Sequence, residues 1–254
     1  MSKIIAIVNQ KGGVGKTTTA INLAAAVGKL GERVLLVDID PQGNSTSGFG
    51  VNKRTVVKSS YDILIGQVNT KDVIIKTKFK NVDIVPSNMN LAGAEIELVD
   101  MDKRESRLKL ALAAVEADYD YIFLDCPPSL GVITLNALVA ADKIFVPIQC
   151  EYYALEGLSQ LLATVRTVKR KFNDRLELDG VLLTMYDGRL KLTTQVVAEV
   201  KKYFPKKVYT TVIPRNVRLS EAPSYGEPIC YYDPWSKGSL AYTQLAKEFL
   251  RKNS

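Results

Sequence analysis

Lys11-Gly12-Gly13-Val14-Gly15-Lys16-Thr17-Thr18 is the stretch from which the rest of the chain is best read. Just before it, 4–9 is a short, continuously apolar, β-branched run that suits a strand buried on both faces. Just after it, 17–30 repeats apolar residues at helical spacing (Ile21, Ala24, Ala25, Val27, Leu30), and Gly31 stops the repeat. A glycine-rich turn between a strand and a helix lets consecutive backbone N–H groups converge on one anion, because side chains would block that approach. The start of the helix adds its dipole at the same point. Lys16 can then reach the β- and γ-phosphates of a nucleotide, and the Thr17 hydroxyl can ligand Mg2+. A glycine-rich turn with no ligand is the plain alternative. The run Gly15-Lys16-Thr17-Thr18 in a strand–turn–helix context weighs against it.

Working outward, strands are expected at 33–37, 82–85, 121–124, 143–147, 179–184 and 208–213. Helices are expected at 91–98, 107–116, 130–140, 155–172, 193–204 and 236–250. The segment 40–51, rich in Gly, Asn, Ser and Pro, reads as a loop. Apolar strands alternating with helices predict an α/β fold, a single doubly wound, mainly parallel β-sheet flanked by helices. With no internal repeat and no low-complexity linker, residues 1–254 read as one domain. In such sheets ligands bind at the carboxyl ends of strands, where the loops after Asn9, Asp38, Asp125 and Pro147 gather.

Composition narrows the chemistry. The 254 residues contain no histidine, which removes Ser-His-Asp and Cys-His catalysis and His-ligated metal sites. Proton transfer falls to carboxylates, Lys, Tyr, Cys or water. Cys126, Cys150 and Cys230 form neither a CxxC pair nor a disulfide framework and read as reduced, packed thiols of a cytosolic protein. The apolar stretch 4–8 is too short for a signal-peptide core, and no run approaches the roughly 20 residues of a membrane span. Residues 1–150 carry 17 basic and 16 acidic side chains, whereas 151–254 carry 17 and 11, so most of the net charge of +7 lies in the C-terminal part. That surplus suits either an anionic partner or a solvated surface.

The ordinary phosphate-loop pattern GxxxxGK[ST] would need glycine at position 10, where this chain has Gln10, and Lys11 precedes Gly12 instead. This is the deviant Walker A motif, KGGxGKT, and with it the chain resembles the ParA/MinD family of P-loop ATPases. Val37-Asp38-Ile39-Asp40-Pro41-Gln42-Gly43-Asn44 resembles the family's Walker A′ or switch I segment. Phe123-Leu124-Asp125-Cys126-Pro127-Pro128 resembles its Walker B and switch II segment. Glu151-Tyr152-Tyr153-Ala154-Leu155-Glu156-Gly157 and the segment from Ile213-Pro214-Arg215-Asn216 to Ala222-Pro223 are similar to the chromosomal ParA (Soj) branch.

The resemblance implies a set of roles. Lys11 to Thr18 would bind ATP, with Lys16 catalytic and Thr17 a ligand of Mg2+. Asp40 would position the attacking water. Asp125 would hold a water of the Mg2+ shell or cap the helix near Leu130, and Asp38 would support Mg2+ through water or by packing. Lys11 is either a solvated lysine or, as in the family, crosses a dimer interface to the partner's nucleotide, making dimerisation ATP-dependent. Pro214 and Asn216 would frame the adenine. Arg189 and Arg218 match positions implicated in non-specific DNA binding. Lys201, Lys202, Lys206 and Lys207 serve equally well to complement a helix dipole.

The function so implied is a partitioning ATPase for a chromosome or plasmid: a homodimer when ATP-bound, on non-specific double-stranded DNA, cytoplasmic and nucleoid-associated, with hydrolysis stimulated by a ParB-type partner. A replication initiator protein is a further partner known within the family. The rival reading is a MinD-like membrane-associated ATPase of division-site placement, which would need an amphipathic basic helix after the last core helix. Leu240, Leu245, Phe249 and Leu250 repeat roughly helically, but packing against the sheet accounts for them better.

Overall fold

The element order follows the alternation expected above. A computed structural model describes residues 2–151 and 154–254, the backbone alone at 154–157. Among the described residues one sheet is built from β1 (Lys3–Ile7), β2 (Val34–Asp38), β3 (Ile75–Lys76), β4 (Val82–Val85), β5 (Tyr121–Asp125), β6 (Lys143–Gln149) and β7 (Glu177–Thr184). The strands lie in the order β3-β4-β2-β5-β1-β6-β7. Every pairing is parallel except the short β3, which runs antiparallel to β4. The helices are α1 (Lys16–Lys29), α2 (Asn44–Gly48), α3 (Ser60–Ile65), α4 (Leu91–Glu97), α5 (Arg107–Leu112), α6 (Val132–Ala140), α7 (Ala154–Lys171), α8 (Lys191–Tyr203), α9 (Val217–Glu221), α10 (Ile229–Tyr232) and α11 (Lys237–Asn253).

The strands are apolar throughout because the sheet is covered twice. Side chains alternate along a strand, so Ile4 and Ala6 of β1 enter one core while Ile5 and Ile7 enter the other. β2 divides in the same way, Leu35 and Val37 against Val34 and Leu36, as does β5, Ile122 and Leu124 against Tyr121 and Phe123. The first core is closed by residues such as Ile63 of α3, Leu91 of α4, Leu108 of α5, Ile133 of α6 and Leu161 of α7. The second is closed by α1, through Leu23 and Val27, and by α11, through Tyr242, Leu245 and Phe249. Because β1 lies between β5 and β6, the β1–α1 turn falls at the middle of the carboxyl edge of the sheet.

Several expectations change. Residues 208–213 run beside β7 but make one isolated bridge, Val208 to Val181, with a second just past the segment, Pro214 to Tyr186. The reason is α11: the N–H groups of Thr210 and Thr211 donate to the Glu248 carboxylate at 2.8 and 2.9 Å, leaving only Tyr209 and Ile213 to bond the β7 carbonyls. The segment 40–51 contains α2, which starts after Gly43 in the left-handed conformation. α3, unmarked by periodicity, starts with a Ser59–Asp62 capping box. Of the α11 apolar residues, Leu240 is exposed while Leu245 and Phe249 are buried. Tyr152 and Tyr153 of the ParA-like segment lie outside the described residues. No described helix is long and apolar enough to cross a membrane.

Candidate functional site

The β1–α1 turn is held by its neighbours in the sheet. Asn9 donates its Nδ2 to the Pro147 carbonyl at 2.8 Å, and its Oδ1 accepts the Lys11 N–H at 3.0 Å. Thr184, at the end of β7, donates its hydroxyl to the Val14 carbonyl at 2.8 Å. Gly13 and Gly15 have φ of +74° and +88°, values that side chains disfavour. A Cβ on Gly12 or Gly13 would meet nothing within 4 Å, so that flank of the turn is open. α1 begins with no side chain capping its first N–H groups and no acidic residue in its first turn. Uncapped N–H groups at the head of a 14-residue helix form a seat for an anion.

Lys16 sits within this turn, buried, with Nζ donating to the Lys11 carbonyl at 3.1 Å. Burial pushes its ammonium below the usual lysine range, against the opposing pull of Asp125, Cys126 and Asp40. Lys11 itself turns to Glu151, with Nζ 2.9 Å from Oε2 in a half-exposed ion pair. Its charge is therefore engaged outside its own loop.

Asp125 and Asp40 lie close enough to Lys16 to act on its charge, and Asp38 adjoins both carboxylates. Parallel pairing sets Asp38 of β2 opposite Asp125 of β5. Asp38 is fully buried and held by donors: Oδ2 accepts the Thr46 N–H and hydroxyl at 2.8 and 2.7 Å, and Oδ1 accepts the Asp40 N–H at 3.2 Å. The Thr46 hydroxyl in turn accepts the Ser87 N–H at 2.8 Å. Asp125 accepts the Ser45 hydroxyl on Oδ2 at 2.8 Å, while its Oδ1 is buried with no partner. Burial raises both carboxyls above their ordinary range, Asp38 reinforces the rise at Asp125, and the Thr17 hydroxyl opposes it. Asp40 uses Oδ1 to accept the Gln42 N–H at 2.9 Å.

This is a donor set of carboxylate and hydroxyl oxygens with more negative charge than Lys16 offsets, the chemistry that suits a hard divalent cation. The orphaned Asp125 Oδ1 is an acceptor that such a cation, or water bound to it, would satisfy. Asp38, by contrast, already has three donors, which favours packing over metal support.

The remaining expected residues lie at the same end of the sheet. Pro214 bridges to Tyr186, just beyond β7, and Asn216 begins α9 with a buried Oδ1 that has no partner. Arg189 is exposed but forms a two-point ion pair with Asp187 (2.9 and 2.6 Å), whose carboxyl it holds down to about 2. Arg218 pairs with Glu221 at 2.9 Å and Asp233 at 3.4 Å. Both arginines thus enter any phosphate contact already partnered. Arg215, which sequence reasoning gave no role, is exposed and also lowers Asp187, so it belongs to the same surface. Ser45 and Thr46 were missed as well; the only signal was the density of hydroxyls in Asn44-Ser45-Thr46-Ser47 after Asp40.

Residues 2–178 match the family model described as an AAA domain. The chain is 61% identical over 248 residues to the sporulation initiation inhibitor protein Soj of Bacillus subtilis (strain 168), covering 98% of each. It is 49% identical over 253 residues to the chromosome-partitioning ATPase Soj of Treponema pallidum (strain Nichols), covering 100% of this chain and 99% of that one. Among solved structures it is similar to cobyrinic acid a,c-diamide synthase from Mycobacterium smegmatis with bound ADP and magnesium: TM-score 0.87, 39% identity, 99% of this chain and 95% of that chain.

Proposed function

The chain belongs to the ParA/Soj family of chromosome-partitioning proteins, and from that premise we propose that it hydrolyses ATP to drive partitioning of a chromosome or plasmid. The observation that carries this reading is the convergence of the Lys16 turn with Asp38, Asp40 and the orphaned Asp125 oxygen at one strand edge. Lys11 to Thr18 bind the phosphates through backbone N–H groups, with Lys16 on the β- and γ-phosphates. Pro214 and Asn216 frame the adenine, the unpaired Asn216 Oδ1 being an acceptor for its amino group. Thr17 and Asp125 would hold Mg2+, Asp125 through water. The cation, when bound, neutralises charge on the phosphates.

Asp40 orients the attacking water, its Oδ2 having no partner among the described residues while the Gln42 N–H fixes Oδ1. Asp38 keeps the segment in place through Thr46. Lys11 exchanges Glu151 for the partner's nucleotide as two ATP-bound copies, each one domain of 254 residues, come together. The dimer binds non-specific double-stranded DNA through the surface of Arg189 and Arg218, which places it on the nucleoid in the cytoplasm. A ParB-type protein then stimulates hydrolysis and release.

A salt titration of DNA binding with and without ATP tests the reading. Binding is expected only with ATP and Mg2+, with log K falling linearly in log salt. Asp40→Ala is expected to accumulate the ATP-bound dimer. An ATP-bound form that ignores DNA but binds anionic vesicles would favour the MinD-like alternative, and an Asp40→Ala variant that stays monomeric with ATP would remove the role given to Asp40.

A further inference from the structure

Between Asn81 and Asp102 the chain has no Lys or Arg, although its net charge is +7, and four carboxylates fall within its last eight residues. This segment contains α4, whose inner face packs in the normal way: Leu91, Ala94 and Leu98 are buried in the core. The outer face is also apolar. Met89, Ile96 and Val99 are 64%, 78% and 54% exposed; Ala92, Ile96 and Val99 follow one another at i, i+4 and i+7 along the helical backbone from Leu91 to Asp100, and Met89, in the turn just before it, extends the same stripe opposite the buried residues. A surface helix ordinarily turns its polar face outward. Here the polar groups only border the stripe, Glu95 on one side and Glu97 and Asp100 on the other. Neither these nor Asp102 forms an ion pair among the described residues; Glu97 accepts only the Tyr61 hydroxyl.

The helix and the loop leading into it touch both segments that hold the site. In that loop, four residues before α4, the Ser87 N–H is bonded to the Thr46 hydroxyl, which is bonded to Asp38. In the middle of α4, the Glu95 carboxylate lies where a side chain on Gly131 would be, and Gly131 is the N-cap of α6, three residues after Asp125-Cys126-Pro127-Pro128. Anything that grips the outer face of α4 therefore bears on the Asp38 and Asp125 segments at once.

We propose that the outer face of α4 is the docking surface for a basic amphipathic peptide segment, that of the partner which stimulates hydrolysis. The stripe takes the apolar face of the segment, and Glu95, Glu97 and Asp100 take its Lys or Arg side chains. Engagement of Glu95 shifts its contact with Gly131 and so the position of Asp125. This inference rests on the partitioning reading for the identity of the partner, though the surface itself does not.

The test has two arms on the full chain with ATP, Mg2+ and DNA. In the first, a fluorescent synthetic peptide of leucines and lysines, spaced to make one apolar and one basic helical face, is titrated into wild type, the Glu95→Lys/Asp100→Lys pair and Ile96→Asp, with a scrambled peptide as control. Wild type is expected to bind the ordered peptide, and each variant to bind at least roughly tenfold more weakly. In the second arm, the ParB-type protein of the same organism is expected to stimulate wild-type hydrolysis but not that of the variants, with basal hydrolysis unchanged in Ile96→Asp, which leaves the Glu95–Gly131 contact in place, and DNA binding unchanged in both. Equal peptide binding by wild type and variants overturns the proposal. So does loss of dimer in the variants without any partner, which would make the face a contact between copies. A wild type that binds peptide through this face but hydrolyses no ATP would instead overturn the partitioning reading and leave the surface standing.

Discussion

Replacing Thr46 by valine should be among the costliest single changes that leave the volume of the fold intact. Valine keeps the β-branched shape but removes a hydroxyl that donates to buried Asp38 at 2.7 Å and accepts the Ser87 N–H at 2.8 Å. A hydrogen bond to a charged group contributes about 1.5–3 kcal/mol, and a buried N–H left without a partner costs about 1–3 kcal/mol. Together the loss is about 3–5 kcal/mol, a large share of the about 5–15 kcal/mol that a domain has. Thr46→Ser keeps both bonds and removes one methyl, for about 1 kcal/mol. Urea unfolding at pH 7 without nucleotide, followed by circular dichroism, measures both variants against wild type at unchanged m-value. If Thr46→Val costs under about 1 kcal/mol, or Thr46→Ser costs as much as valine, the hydroxyl is not the link between Asp38 and Ser87.

Four further outcomes are expected. Because burial raises Asp125 and Asp38, the stability these carboxyls contribute is fully present below the ordinary carboxylate range and is lost as pH rises through their raised values. Binding of Mg2+ with nucleotide should then release protons near neutrality, seen by calorimetry in two buffers of different ionisation enthalpy; no buffer dependence, or release undiminished in Asp125→Asn, contradicts this. Lys16→Ala should weaken nucleotide binding by on the order of a hundredfold without unfolding the chain, since it removes a buried charge; unchanged affinity would sink the phosphate role. Asp187→Asn frees Arg189 and should tighten DNA binding and steepen its salt dependence by about one unit, whereas Arg189→Ala does the reverse. Glu151→Gln releases Lys11 and should lower the ATP concentration needed for dimerisation, with folding stability changed by under about 1 kcal/mol, while Lys11→Ala stays monomeric on sedimentation.

The sheet was legible because burial on both faces writes itself as short, unbroken apolar runs, and 82–85 matches β4 in full. The glycine-rich turn was legible because it sits between a short apolar run and a helical repeat, which became β1 and α1. What the sequence did not announce was mostly what depends on distant partners. Residues 208–213 look like a strand, and only Glu248, 37 and 38 positions further on, takes away the amides that would complete it. Ser45 and Thr46 look like loop residues, and acquire a role only because parallel pairing sets Asp38 beside Asp125. Arg189 and Arg218 read as free positive charge, whereas Asp187 and Glu221 already hold them. α4 reads as an ordinary helix until its burial pattern shows which half of its apolar residues has no cover.

The order of the strands also governs how this protein can be made. β1 emerges first, yet its two neighbours are β5 and β6, and its first residue pairs with Tyr121. No earlier segment can satisfy its backbone, so the N-terminal strand must wait for nearly half of the chain before it has an edge to join. Contacts so distant in sequence are slow to form, because the loop must close before any pairing rewards it. The Lys16 turn, whose pins come from Pro147 and Thr184, is completed later still. A nascent chain therefore carries the glycine-rich turn through most of its synthesis without the contacts that hold it, which arrive only once the strand ending at Thr184 has left the ribosome and docked.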